Sequence, residues 1–513
     1  MTRTLPEFRY LGRRAGLLVG IGAAIGLLAD LAGLTLRQWD EARLAVSAIE
    51  MTQRSNWFVV TYGFQPDLWN TKPPLMVWLQ AGLILLLGPS EWAIRLPAAL
   101  AALASIGLVY WLLAKFLRRP VSGLIAGIVI ISALGYVGEH HGRSGDYDAL
   151  LTLAELGAGV SLLLLLETGR RRWWLGVGLG LIAATLTKGV AALLPLPGVA
   201  LYCLVLPRGR RLLLSPWLWL TLLLWGAAAV GWYYTREQLA PGYWQAVDAN
   251  ELSGRFATVL DDHVGPWYYY VKEMTRSKFL PWVYLVLPAI PFAVRHPDAR
   301  ARRVAWFALA WAMSLLLVLS VAKTKIAWYA VPAYPWLAIV IGVGAPRLAR
   351  AVYLLVKPNS SLRTGLRFVF VVLLVVSPLA TIWRVVRTGW TDKEAEVRPG
   401  YGLRALGREA APPAPLAVVA PTGFYQSFRP LTAVGGQPGY NASLRFYLLA
   451  YPRSAQIIPP NELRKLRGPG YILTTTSADS AQVQATFPQL PHRPVGRYAC
   501  WLWTLPSTAR LAN

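Results

Sequence analysis

Long apolar runs, punctuated by short clusters of Lys and Arg, constrain this chain more than any other feature. From about residue 15 to residue 386 the runs recur at close to the length a helix needs to cross a bilayer, roughly 17–25 residues. A soluble fold of 513 residues could hardly bury a composition that is 55% hydrophobic and only 15% charged, with mean hydropathy +0.42. The formal charge of +26 and the pI near 10.3 would suggest nucleic acid in a soluble protein. Here the basic residues lie between apolar segments, with no continuous basic groove of interleaved aromatics, which argues against nucleic acid and for the positive-inside pattern of membrane proteins.

Placing the basic clusters in the cytoplasm orients the chain. Arg9, Arg13 and Arg14 precede an apolar stretch that resembles a signal peptide, but no small-residue cleavage site stands out and the run, read as a first span at 15–36, is long enough to cross. An external loop over about 37–92 follows, within which 75–87 is apolar but short and reads as an interfacial helix. Spans at 93–114, 121–138 and 149–166 alternate back to Arg170, Arg171 and Arg172, and 173–187 with 189–206 forms a hairpin around Lys188. Span 212–234 exits to a second external loop at 235–279, then 280–294, 304–321, 328–345 and 366–386 complete the count. The expected fold is mainly α, a polytopic transmembrane helix bundle of about eleven spans. The N-terminus is expected in the cytoplasm. After 387, strand-like pieces at 415–420 and 470–475 among Pro/Gly turns predict a small α/β extracytoplasmic domain over 387–513. Cys203 and Cys500 give neither a disulfide framework nor a zinc site.

Five places in the external loops carry candidate chemistry. Asp40 and Glu41, followed by Arg43, open the first loop; they suit either proton acceptance near lipid or a helix start favoured by its dipole. Lys72, before Pro73 and Pro74, suits either a lipid phosphate at headgroup depth or simple snorkelling. A third stretch, Glu139 to Asp148, holds His140, His141, Arg143, Asp146 and Asp148; consecutive histidines on a helix point apart, so the carboxylates are placed ahead of a metal. The second loop carries Asp261, Asp262 and His263 before an aromatic run to Tyr270, which suits an interfacial belt or sugar faces. Lys323, Lys325 and Tyr329 lie in a short external turn where positive charge is normally sparse; an anionic carrier phosphate or snorkelling explains the two lysines. The sequon Asn441-Ala442-Ser443 is assigned no function.

Seven stretches of the chain, in order, resemble motifs of the GT-C membrane glycosyltransferases of the protein O-mannosyltransferase and aminoarabinose (lipid A) transferase superfamily. They are DEAR at 40–43, TKPPL at 71–75 with Trp78, EWAIRLP at 91–97, RSGDYDALLTL at 143–153, TKG at 187–189, HVGPWYYY at 263–270 and KTKIAWYAVPAYP at 323–335. The resemblance covers roughly 1–345 and implies inverting transfer of a sugar, hexosyl or pentosyl, from a polyprenyl-phosphate carrier. The implied acceptor is a lipid A-like lipid, a protein or a glycan on the outer side of a bacterial inner membrane. It further implies that Asp40 is the catalytic carboxylate and that Lys72, Lys323 and Lys325 bind the donor phosphate. Glu41, Arg43, Arg143, Asp146, Asp148, His263 and Tyr329 would line the substrate cavity. Some aminoarabinose transferases carry a carboxylate just before the lysine as half of a metal pair, where this chain has Thr71; no metal or other cofactor is therefore expected. The expected partners are the donor, the acceptor and membrane lipids. A polytopic transporter or lipid flippase is the competing expectation, although its ionisable residues would sit near the bilayer midplane.

Overall fold

The computed structural model describes residues 6–259, 263–356, 361–388, 398–420, 441–496 and 500–506. Asp261 and Asp262 lie outside them. The chain divides into two compact units. The first comprises Met1–Leu31, Thr71–Met76 and Arg95–Thr388, the second Ala32–Asn70, Val77–Ile94 and Gly389–Asn513. Most of the segment expected to form the first loop thus groups with the C-terminal region.

The first unit is helical. Among the described residues six helices are long and apolar enough to cross a membrane: Glu91–Phe116, Asp148–Thr168, Trp173–Leu193, Ala299–Val321, Ala327–Leu355 and Thr364–Arg387. Two bent pairs, Pro207–Leu213 with Pro216–Leu239 (61°) and Tyr269–Lys278 with Val283–Val294 (112°), bring the number to eight if each is one span. The remaining expected spans contain only the shorter apolar helices Arg14–Leu28, Pro120–Ser132 and Leu196–Val205. Leu75–Leu87 is a helix of 13 residues, short for a crossing as its sequence predicts. Large aliphatic side chains face outward, among them Leu317 at 65% and Leu287 at 76% exposure, as a surface bathed in lipid tails requires.

Inside this unit small residues let helices approach closely. A Cβ on Gly180 would lie 2.7 Å from the backbone nitrogen of Ala158, so Trp173–Lys188 packs nearly backbone to backbone on Asp148–Thr168. Gly159 gives the same clearance to the stacked rings of Trp311 and Trp336, whose centroids are 4.9 Å apart. Gly189 ends the Trp173–Lys188 helix with φ +54°, and a side chain there would meet the Tyr233 hydroxyl. That close pair of helices positions the site.

The second unit joins the helix Asp40–Arg54 and a small hairpin, β1 (Thr61–Tyr62) and β2 (Gln65–Pro66), to a mixed sheet. The sheet strands are β3 (Leu416–Val419), β4 (Ala455–Ile458), β5 (Gly470–Thr474), β6 (His492–Pro494) and β7 (Trp501–Leu505), in the order β4-β3-β5-β7-β6. Strand β3 runs parallel to β4 and β5, while β7 is antiparallel to β5 and β6. Val419, Ile472, Val483, Phe487 and Trp503 form its core beneath the helix Ser477–Thr486. The helices Arg398–Gly407 and Ala442–Ala450 complete the unit. Asn441 is buried and caps the second of these through the Leu444 N–H (2.8 Å), which argues against its use as a sequon.

Candidate active site

In the first unit, charged side chains gather where helices end. Asp148 begins the helix Asp148–Thr168, and Lys188 ends its close neighbour. Lys188 Nζ donates to both carboxylate oxygens of Asp148 at 2.7 Å, with both side chains buried. The same ammonium stands 4.5 Å from the centre of the Tyr329 ring. A buried pair of this kind is held by its geometry, since removing one partner strands the other charge away from water.

Two residues back, Asp146 is held by His140. Nδ1 of His140 lies 3.0 Å from Asp146 Oδ2, and Oδ1 accepts the Tyr147 N–H at 2.7 Å. Burial alone would raise the Asp146 carboxyl; the His140 contact, Lys188 and the Tyr147 N–H outweigh it and hold Asp146 below the usual carboxylate range. The His140 ring stacks on Trp328 at 3.7 Å with planes 7° apart, from a backbone at φ +57° that a non-glycine residue rarely adopts. His141 points the other way, as consecutive residues do, and is fully buried against the Tyr136 carbonyl and Thr152. Burial lowers it to about 3, with the Tyr136 bond opposing, so it is neutral at physiological pH.

Lys72 lies over Tyr147, 5.6 Å from the ring centre, with its Nζ 3.7 Å from Glu251 Oε1. Thr71 donates to the same oxygen (3.1 Å), and its carbonyl accepts from Tyr243 Oη (2.6 Å). Glu251 lies on a π-helical turn, Asp248–Leu252, a local widening often found at functional sites. Lys72, Tyr147, Asp146, Asp148, His140, Lys188 and Tyr329 therefore form one connected polar cluster. Its chemistry suits an anionic headgroup, because two ammonium groups stand among carboxylates and aromatic faces. His140 and Asp146 supply one nitrogen and one carboxylate to any bound cation.

The other expected residues have different settings. Arg143 donates to the Gly26, Ala29 and Asp30 carbonyls and so caps the first helix rather than facing a substrate. Lys325 is buried and donates to the Leu319, Ser320 and Ala322 carbonyls, which takes all three of its donors at the end of the helix Ala299–Val321. Burial lowers its pKa. Lys323 is exposed; its N–H donates to the Phe256 carbonyl, while the Lys325 N–H donates to the carbonyl of an exposed His263. In the second unit, Glu41 accepts the Arg37 N–H (2.8 Å), and Arg43 forms a two-pronged pair with Asp67 between the rings of Tyr62 and Trp69. Asp40 is the first residue of its helix, in the turn where a carboxylate is favoured.

A family model described as dolichyl-phosphate-mannose-protein mannosyltransferase matches residues 71–234. The undecaprenyl phosphate-alpha-4-amino-4-deoxy-L-arabinose arabinosyl transferase of Erwinia tasmaniensis is 27% identical over 374 residues, 71% of this chain and 66% of that protein. Its counterpart in Shewanella sediminis is 26% identical over 60% of this chain and 55% of that protein. The chain thus matches less than two thirds of the length of these relatives. In fold, ArnT from Cupriavidus metallidurans, crystallised with undecaprenyl phosphate, superposes with TM-score 0.65 over 98% of both chains at 19% identity. The Archaeoglobus fulgidus oligosaccharyltransferase follows with TM-score 0.53 over 87% of this chain and 64% of its own, at 10% identity. In sequence and in fold the chain is thus similar to membrane glycosyltransferases of the GT-C type.

Two residues of this cluster escape the sequence reading. Lys188 carries a signal, since a lysine between two apolar runs is costly unless paired; its partner, 40 positions away, is invisible without the helix packing. Glu251 carries none, being one acid in a polar loop. Its carboxylate stands beside Thr71, whose hydroxyl donates to it.

Proposed function

We propose that the chain is a membrane glycosyltransferase that moves a hexosyl or pentosyl unit from a polyprenyl-phosphate carrier to an extracytoplasmic acceptor, with inversion. The observation that carries this reading is the buried cluster at the helix ends, where Lys72 lies over Tyr147 beside the Lys188–Asp148 pair. The transferase activity for which the relatives are named and the undecaprenyl phosphate bound to the ArnT structure support a lipid-linked donor. An aminopentose is accordingly the first sugar to test, with a lipid A-like lipid as acceptor ahead of protein or glycan.

In this reading the acceptor oxygen attacks the anomeric carbon from the side opposite the phosphate. The bond from that carbon to the phosphate oxygen breaks, and the carrier leaves as a phosphate monoester. If the acceptor is a hydroxyl, Asp40 takes its proton; if it is a phosphate, Asp40 positions it. Lys72 and Lys323 meet the negative charge that grows on the departing phosphate. Lys325 shapes the loop that carries Lys323. We further assign eleven crossings, counting the three shorter helices and each bent pair as one span. The N-terminus is then cytoplasmic, and residues 387–513 lie outside a bacterial inner membrane.

The test uses proteoliposomes holding the full chain, undecaprenyl-phosphate-linked 4-amino-4-deoxy-arabinose and lipid A, with products read by mass spectrometry. Asp40→Asn and Lys72→Ala should abolish transfer while the proteins remain folded. Wild-type rates in both variants would overturn the assignment.

A further inference from the structure

The C-terminal region has no catalytic motif, yet its helices reach the residues that lead into Asp40. Residues 32–38 form no helix or strand, so their backbone groups need partners from elsewhere in the chain. Tyr401 Oη accepts the Thr35 N–H (3.4 Å). Tyr447 Oη accepts the Leu36 N–H (2.9 Å) and donates to Glu91 Oε1 (2.7 Å). Ser443 Oγ donates to the Leu36 carbonyl (2.9 Å), and its N–H donates to Gln38 Oε1 (3.1 Å). Arg404 donates to the Ala32 and Gly33 carbonyls and to Glu91 Oε1. These contacts are buried or partly buried, and they span more than 300 positions in sequence.

The segment they hold ends in a costly backbone. Trp39, immediately before Asp40, has φ +71° and ψ −127°, a conformation that L residues rarely adopt. The residue is 58% exposed. On the other side, Glu41 turns back to the Arg37 N–H (2.8 Å) and the Ala42 N–H reaches the Arg37 carbonyl (3.0 Å). A backbone away from its preferred wells persists only where the surroundings over-determine it. The fit is close: a Cβ on Gly400 would lie 2.5 Å from the Tyr447 ring and 3.1 Å from Thr35.

We propose that the helices Arg398–Gly407 and Ala442–Ala450 are a clamp that sets the direction of the Asp40 carboxylate, with Tyr447 and Ser443 as positioning residues. The proposal rests on the reading of Asp40 as the catalytic carboxylate. It gives the C-terminal region a part in turnover through the backbone of 35–39, without contact with the reacting atoms. A carboxylate displaced by about 1 Å can lose on the order of 100-fold in rate.

Tyr447→Phe and Ser443→Ala are measured in the same proteoliposomes, beside wild type and Asp40→Asn, with hydrogen exchange followed over 32–44. The expected result is a fall in kcat of roughly 10- to 100-fold with donor KM within about twofold. Exchange should quicken at 35–40 while the sheet keeps its protection. Unchanged kcat in both variants overturns the clamp, as does a loss of activity that merely follows the fraction of unfolded protein. If Asp40→Asn itself transfers sugar at the wild-type rate, the catalytic reading fails. The clamp is then decided by exchange alone, and unchanged protection at 35–40 overturns it.

Discussion

Lys188 and Asp148, 40 residues apart in sequence, meet at 2.7 Å through both carboxylate oxygens at the ends of two helices packed almost backbone to backbone. Neither side chain has appreciable access to solvent, at 7% and 1%. Lys188→Met should therefore cost about 3–5 kcal/mol, because it leaves a buried carboxylate without its counter-charge. The double variant Lys188→Met with Asp148→Asn should recover much of that loss. Unfolding in detergent, followed by tryptophan fluorescence, measures both.

Glu251 competes with any anion for Lys72, since its Oε1 lies 3.7 Å from the ammonium. Glu251→Gln removes that competitor while keeping a hydrogen-bond acceptor for Thr71. Polyprenyl phosphate should then bind several-fold more tightly, as the loss of one nearby negative charge predicts. Inhibition of transfer by added undecaprenyl phosphate reports the change, and unaltered inhibition would remove Glu251 from the donor site.

The two neighbouring lysines should separate by phenotype. Lys325→Ala exposes the helix-end carbonyls its ammonium satisfies and should lower stability by about 1–3 kcal/mol. Lys323→Ala alters an exposed side chain and should leave stability within about 0.5 kcal/mol while raising donor KM. Melting curves paired with donor titrations distinguish them.

His141 makes the fold acid-sensitive. Its imidazole is lowered to about 3 in the folded chain from an ordinary value of 6.5, so between those limits the unfolded chain binds a proton that the folded chain refuses. Stability is therefore fully present above about pH 6.5 and falls as pH drops through that window, by at most about 1.4 kcal/mol per pH unit. Asp146, held below its usual range, adds a loss only at lower pH, as protons reach its folded carboxylate. In His141→Gln the slope between pH 6 and 4 should flatten. Chemical denaturation at stepped pH provides the comparison.

Hydropathy and charge determine much of this protein from the sequence alone. A backbone in lipid must satisfy its own hydrogen bonds, so each long apolar run has to be helical, and Lys/Arg placement supplies an expected orientation. Short-range rules likewise locate the helix starting at Asp40, the 13-residue helix after Pro74 and strands β3 and β5. Pairing belongs to the tertiary structure. That Lys188 meets Asp148, that Lys325 and Arg143 turn to helix-end carbonyls, and that Tyr447 reaches Leu36 depend on contacts between distant segments. A lysine ready for a phosphate and a lysine consumed by carbonyls look alike in sequence, because the difference lies in which donors the fold has already used.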